Sequence, residues 1–432
     1  MAPDTVPFLT ALRYWLKLGF ISFGGPAGQI ALMHAELVER RRWISEQRFL
    51  HALNYCMLLP GPEATQLAVY IGWLLHRAWG GIVAGVLFVL PSLLILIGLS
   101  WVYLAYGHVP AIAAVLYGIK PAVVALVLAA AWRLGKRTLR NGPLIALACA
   151  SFAAIVLDVP FPAIVLGAAA LGWLGGRLRP QAFAPGGAGH GGAAAGYGPA
   201  LIDDDTPTPA HARFGWRRLF VTSSAGAGVL AGSWLALAWA TGMQRPLAQM
   251  GWFFTKAALL TFGGAYAVLP YVVQGGVETY HWLTPAQMID GLALGETTPG
   301  PLIMVNAFVG FVGGWTHAPL GSLAVSGIAG AVVATWFTFV PSFIFILAGG
   351  PLVEASRGDI RMTAPLTAIS AAVVGVIASL AVFFGRHVFH PGASWDWPAV
   401  AIAAVAALAL LRWQIGTVKL LIGCAIAGLV LS

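Results

Sequence analysis

Residues 80–106 read GGIVAGVLFVLPSLLILIGLSWVYLAY, without one acidic or basic side chain. A helix needs about 20 mostly apolar residues to cross the hydrocarbon core of a bilayer, so this stretch is long enough to span one. Residues 111–131 repeat the pattern, broken only by Lys120 and Pro121. Working outward, apolar segments fall near 8–30, 48–75, 80–106, 109–132, 143–158 and 160–175. They resume near 219–241, 250–275, 287–314, 317–349, 363–385, 396–412 and 415–432, about 13 in all. Charged residues make up 9% of the 432-residue chain, against about 25% in soluble domains. So few charges cannot cover a water-facing surface of this size. Soluble enzymes, secreted disulfide scaffolds and nucleic-acid binders are excluded. Lipid-exposed backbone must satisfy its own hydrogen bonds, and the alternating ten-residue strands of a barrel are absent. The fold class is therefore an all-α polytopic membrane protein whose principal partner is the lipid bilayer.

The formal charge of +9 is concentrated at segment ends: Arg40, Arg41 and Arg42; Arg133, Lys136, Arg137 and Arg140; Arg177 and Arg179; Arg213, Arg217 and Arg218. Loops held on the cytoplasmic face carry such clusters, so no nucleic-acid partner is needed to explain them. Cys56, Cys149 and Cys424 lie scattered in apolar segments without metal-ligand spacing and read as packing residues. No metal and no cofactor is expected. The N-terminus lacks the pattern of a signal peptide, so the first segment is expected to be retained. Residues 177–215 are rich in Gly, Ala and Pro and carry Asp203, Asp204 and Asp205. They read as a flexible cytoplasmic linker with a solvated charge run between a first repeat, 1–176, and a second, 216–432, that has one extra leading helix.

The repeat is in the residues themselves. A shift of 239 lays Lys17 on Lys256, Phe23-Gly24-Gly25 on Phe262-Gly263-Gly264, and Glu39 and Trp43 on Glu278 and Trp282. The same shift lays Pro60-Gly61-Pro62 on Pro299-Gly300-Pro301, with no gap. A shift of 250 then aligns Pro91-Ser92 with Pro341-Ser342 and Ala122-Val123-Val124 with Ala372-Val373-Val374. Generic apolar similarity would not hold Gly, Pro, Trp, Glu and Lys in register, so the chain is a tandem duplication. The extra segment, 219–241, predicts that the second copy is inserted upside down. Charge agrees: Glu39-Arg40-Arg41-Arg42-Trp43 is basic, whereas Glu278-Thr279-Tyr280-His281-Trp282 has no Lys or Arg. Inverted halves with broken or re-entrant helices are the architecture of secondary transporters.

Four breaks occupy matched positions: Gly24-Gly25 and Gly263-Gly264, and the two Pro-Gly-Pro triplets. Proline removes a backbone donor and glycine tolerates positive φ. Each break frees N–H groups and aims a half-helix N-terminus, partially positive, into the protein. These are the expected substrate-binding positions: Gly24, Gly25, Pro60, Gly61, Pro62, Gly263, Gly264, Pro299, Gly300 and Pro301. Lys17 and Lys256 stand seven residues before their glycines and tilt the expected substrate toward an anion; snorkelling to the headgroups is the other explanation. Ser22 and Thr261 offer hydroxyl donors, unless these bond back within their helices. Glu63, Asp290 and Glu296 lie at similar depth and are candidates for proton coupling; His51 aligns with Asp290. There is no His-Glu-x-x-His, Gly-x-Ser-x-Gly or phosphate-binding loop, which argues against an enzyme and against an ATP-driven pump.

The paired Phe-Gly-Gly and Pro-Gly-Pro motifs, together with the Glu39…Trp43 loop, resemble the chromate ion transporter family in its long, two-domain form. The resemblance covers the chain apart from the linker. It implies a bacterial inner-membrane protein that exports the oxyanion chromate, with sulfate as the close analogue, and a homodimer is the oligomer considered. Two departures stand out. Ala265 replaces Pro26 in the second copy, and the second loop lacks arginines; the latter fits inversion. Anion export also suits the membrane potential. One charge across 100 mV is worth about 2.3 kcal/mol, so a dianion leaving a negative interior gains roughly 4.6 kcal/mol. A sulfate permease, an anion channel and a membrane-embedded enzyme are the alternatives.

Overall fold

The computed structural model describes residues 5–23, 25–183, 197–262, 264–355, 363–392 and 394–431. The first copy runs through α1 (Phe8–Ile21), α2 (Gly25–Met33), α3 (Glu46–Leu58), α4 (Glu63–Tyr106), α5 (Pro110–Thr138), α6 (Gly142–Val156) and α7 (Phe161–Leu178). A single helix, α8 (Trp216–Thr241), follows. The second copy holds α9 (Pro246–Leu259), α10 (Ala265–Val273), α11 (Pro285–Thr297), α12 (Val305–His317), α13 (Leu323–Ala355), α14 (Thr363–Phe389), α15 (Trp397–Leu411) and α16 (Thr417–Leu431). Among the described residues, six helices are long and apolar enough to cross a membrane. The described residues contain no strand beyond one isolated bridge. This is a multi-pass helical membrane protein.

The two copies share their local rules. Ser45 and Thr284, 239 residues apart, each cap the following helix by accepting from the backbone N–H three residues on, Arg48 and Gln287 respectively. Both α2 and α10 run into a π-helical turn, His34–Arg40 and Gln274–Thr279. Among the described residues, the non-glycine positions with positive φ fall at corresponding links of the two copies: Arg42 and His281 after the π-helical turns, Arg77 within α4 and Ala318 between α12 and α13, Asp158 between α6 and α7 and Gln414 between α15 and α16. Such torsions are uncommon outside glycine, so their recurrence carries the duplication down to the backbone.

α4 matches two helices of the second copy because it is itself folded back. At His76 (φ −136°, ψ 32°) and Arg77 (φ 57°, ψ −155°) the helix breaks. Gly72 and Gly80 then meet backbone to backbone, whereas a straight helix would hold them about 12 Å apart. Residues 63–75 therefore pair with the start of 78–106 as α12 pairs with α13. Other fold-backs occur at the glycine and proline breaks. Tyr14 of α1 lies 5.5 Å from the Trp43 ring beyond α2, and Phe253 of α9 stacks at 4.8 Å on Tyr271 of α10. A Cβ on Gly295 of α11 would touch Val305 of α12 at 3.6 Å. Each pair is thus a helical hairpin whose tip is a break.

The longest matched helices cross between copies. A Cβ on Gly135 of α5 would meet Val374 of α14 at 3.4 Å, and one on Gly385 would meet Val124 at 3.9 Å. Rising along α5 descends α14, so these equivalent helices are antiparallel. The second arm of α4 and α13 behave alike: Gly81 faces Leu347 and Gly85 faces Phe343. Furthermore, α6 and α7 pack on α14, whereas α15 and α16 pack on α5. Each copy therefore completes its core with the other's helices.

Of the interval 177–215, residues 184–196 lie outside the described residues. Residues 201–212 form a strap along the first copy. Leu201 and Ile202 donate to the Arg42 and Trp43 carbonyls at 2.9 and 3.1 Å, and Ser45 N–H donates to Ile202 O at 2.9 Å. Arg48 Nη2 donates to Thr206 O at 2.9 Å. In the acidic triplet, Asp203 accepts from the N–H groups of Ala200 and Asp204, and Asp204 from the Ser45 hydroxyl. Those N–H groups, with Arg42 and Arg48 nearby, hold the Asp203 carboxyl below the usual carboxylate range against partial burial.

Candidate functional site

The four hairpin tips meet, and they meet crosswise. Gly61 N–H of the first Pro-Gly-Pro donates to Thr261 O at 2.7 Å, and Gly300 N–H of the second donates to Ser22 O at 2.8 Å. Gly61 (φ 124°) presses on Ser342 and Gly300 (φ 111°) on Ser92, themselves a matched pair of residues. Glycine is required at both positions twice over, by torsion and by close approach. Gln29 Nε2 adds a bond of 2.6 Å to Gly300 O, and Gln66 Nε2 one of 2.7 Å to Pro60 O. The flanking prolines place the breaks: α3 stops at Leu58 before Pro60, Pro62 precedes α4, and Pro299 and Pro301 separate α11 from a 3-10 turn at Leu302–Met304. These triplets build the junction between copies.

Ser22 and Thr261 take part through their carbonyls. Their hydroxyls bond back to Leu18 O at 2.6 Å and Ala257 O at 2.7 Å, so neither is free to donate to a ligand in this geometry. Gly24 and Gly263 lie outside the described residues. Gly25 (φ 71°) and Gly264 (φ 101°) both line one cavity of about 1110 Å³, and no atom stands within 4 Å of where their Cβ atoms would be. From these open points α2 and α10 start, so first-turn N–H groups lacking helical partners lie at the cavity.

Glu63, Glu296, Arg133 and Arg137 line the same cavity, together with His34, Glu39 and Glu46. Arg133 and Arg137, one turn apart on α5, share a face. Arg137 acts electrostatically on Glu63 and Arg133 on Glu296, and Glu296 also accepts from the Tyr266 hydroxyl. His34 binds Glu39 at 3.1 Å and Glu46 at 2.6 Å. The arrangement offers an oxyanion two guanidinium forks and two helix starts, with two carboxylates able to carry protons beside them.

The other candidates sit elsewhere. Lys17 lies on the exposed face of α1, and Lys256 lies half-buried with its ammonium 5.7 Å from the Trp252 ring; neither lines the cavity. Asp290, buried on α11, accepts from Tyr103 at 2.8 Å and pairs with Lys120 Nζ at 3.4 Å. At the matched place in the other copy, His51 Nε2 meets Val353 O at 3.0 Å. Sequence reasoning placed Arg133 and Arg137 among loop charges. Their i,i+4 spacing directly after the apolar run 122–131 was the available signal.

Comparison with known proteins matches both copies of the repeat. The chromate transporter family profile matches residues 9–173 and 248–429, both copies without the strap or α8. The chain is similar to a chromate transport protein of Cupriavidus metallidurans, 28% identical over 97% of this chain and 92% of that one. It is also similar to a chromate transport protein of Pseudomonas aeruginosa, 32% identical over 87% of this chain and 81% of that one. A third similar protein, 28% identical over 31% of this chain and 68% of its own length, is an uncharacterized transporter of Bacillus subtilis. No solved structure matches. The chain belongs to the chromate transporter family, a family of membrane transporters and not of enzymes.

Proposed function

We propose that this protein exports chromate across the bacterial inner membrane, binding it in the cavity where Gly25, Gly264, Arg133 and Arg137 converge. The observation that carries the proposal is the composition of that cavity. Both glycine-started helices and the two arginines face one cavity of about 1110 Å³ at the junction of the copies. Gly25 and Gly264 admit the anion, the helix starts and guanidiniums hold it, and the Pro-Gly-Pro tips keep the junction in register. Lys17 and Lys256 then serve at the lipid boundary, where a long cationic side chain is accommodated by snorkelling.

In this reading the copies are inverted. The glycine-tipped and proline-tipped hairpins are re-entrant, dipping in from one face and returning to it. On this reading each copy crosses with four elements: the second arm of α4 with α5, α6 and α7, and then α13 to α16, the 15-residue apolar helices α6, α15 and α16 among them. An even number returns the chain to its starting face, so the single crossing of α8 turns the second copy over. Antiparallel pairing of α5 with α14 supports this. The face bearing Arg40 to Arg42, Arg140 and the strap is then cytoplasmic, and the cavity opens toward it.

Membrane potential supplies the drive for a dianion, about 4.6 kcal/mol at 100 mV. Glu63 and Glu296 couple proton to anion occupancy: neutralising either carboxylate strengthens the attraction of Arg133 and Arg137 for an oxyanion. Asp290, paired with Lys120, lies outside the cavity and acts on it only at a distance. Sulfate, of the same charge and shape, competes. The test is chromate uptake into inside-out vesicles containing the protein, under an imposed interior-positive potential. Uptake should rise with potential and fall with excess sulfate. Uptake indifferent to the protein, or chromium recovered in a reduced state, would contradict export.

A further inference from the structure

A second cavity, of about 990 Å³, lies between α6, α10 and α14. Arg386, His387, His390, Gln274, Asp158 and Glu278 are among its lining residues. The repeat relates it to the mouth of the first. Shifts of 239 and 250 carry the lining residues Glu39 to Glu278 and Arg137 to His387, and carry Arg140, just beyond the end of α5, to His390. The two cavities are not in the same state. In the first copy α2 faces α5 across open space. In the second, α10 packs directly on α14, with Ala267, Val268 and Leu269 buried in one core with Ile377 and Leu380. Gln274 pins the end of α10, accepting from Phe161 N–H at 3.2 Å.

We propose that this second cavity is the release vestibule for the oxyanion, a weaker binding site sealed from the centre by the α10–α14 contact. The inference rests on the central-cavity reading and adds where the anion goes. Two copies of one design, one open and one closed, become an exit when their states exchange: α10 parts from α14 while α2 closes on α5. The vestibule's chemistry suits release. An arginine presents a bidentate donor fork to an oxyanion, whereas an imidazole offers at most one N–H per ring nitrogen. One nitrogen of His387 is already engaged, Nδ1 standing 2.8 Å from Phe383 O. Arg386 attracts the anion, the histidines hold it loosely, and the carboxylates of Asp158 and Glu278 discourage its return.

The test uses the full chain with its three cysteines replaced by alanine and single cysteines introduced as Ser379→Cys in the vestibule or Ser370→Cys in the central cavity. Val382→Cys is a second vestibule reporter. Modification by an impermeant thiol reagent is followed from each face of oriented vesicles, with and without chromate. The vestibule cysteines should react only from the face of Thr279 and His281. Chromate should protect them at concentrations about tenfold above those protecting Ser370→Cys from the other face. Arg386→Gln combined with His387→Gln should remove vestibule protection and leave Ser370→Cys protected; His387→Arg should narrow the tenfold gap. Protection at Ser370→Cys with none at either vestibule cysteine, or vestibule cysteines unreactive from both faces, would overturn the vestibule. Absence of protection at both sites would overturn the central site as well.

Discussion

At Gly264 a positive φ of 101° coincides with empty space beyond the missing side chain, and the same holds at Gly25. A Val at either position would be strained in torsion and would project into the cavity. Gly25→Val and Gly264→Val should each cut chromate flux at least about tenfold while the protein still inserts, as flux and membrane abundance measured together would show. Ser22→Ala and Thr261→Val should keep flux within about twofold, because those hydroxyls serve only their own helices. Arg133→Gln should lower flux more than Arg133→Lys, which keeps the charge but loses the fork. The breaks were legible in the sequence because Gly and Pro at matched positions have few structural uses. Arg133 and Arg137 were less so. A basic residue at the end of an apolar run reads equally as a boundary charge or as a cavity wall, and only the packing of α5 against the opposite copy decides. Lys17 stood out in the sequence, yet it lies on the outer face of α1.

Among the elements, α4 shows what an interruption in an apolar pattern can mean. Apolar segments end at 75 and resume at 80, and between them His76 and Arg77 turn the helix back on itself, with Gly72 against Gly80 allowing the two arms to close. A Cβ at either glycine would drive into the facing carbonyl. Gly72→Leu should therefore destabilise the hairpin by about 1–3 kcal/mol or more, seen as a lower detergent-solubilised melting temperature with less folded protein. The strap was read as flexible for its Gly, Ala and Pro content; the turn built by Asp203 is too local for composition to show. Asp203 has a lowered carboxyl pKa, so its contribution is complete at neutral pH and is lost only as acid takes the pH down through the carboxylate range. Asp203→Asn removes that charge at any pH and should raise tryptic cleavage at Arg213 severalfold.

For the whole molecule, the duplication was readable from residue register and the helical class from composition, and the family match covers both copies. How the copies interlock was not. The exchange of α6 and α7 for α15 and α16 depends on contacts between residues far apart in the chain, such as Gly172 with Ala368 and Gly118 with Cys424, which leave no local pattern. Export by this route requires the copies to be inverted around one cavity, and one measurement reaches that directly. Cysteines placed one at a time as Arg40→Cys and Thr279→Cys, in the cysteine-free chain, are labelled in intact cells and in inside-out vesicles with an impermeant reagent. The predicted result is labelling of Thr279→Cys in cells alone and of Arg40→Cys in inside-out vesicles alone. Labelling of both from the same side would contradict the inversion and the export route built on it.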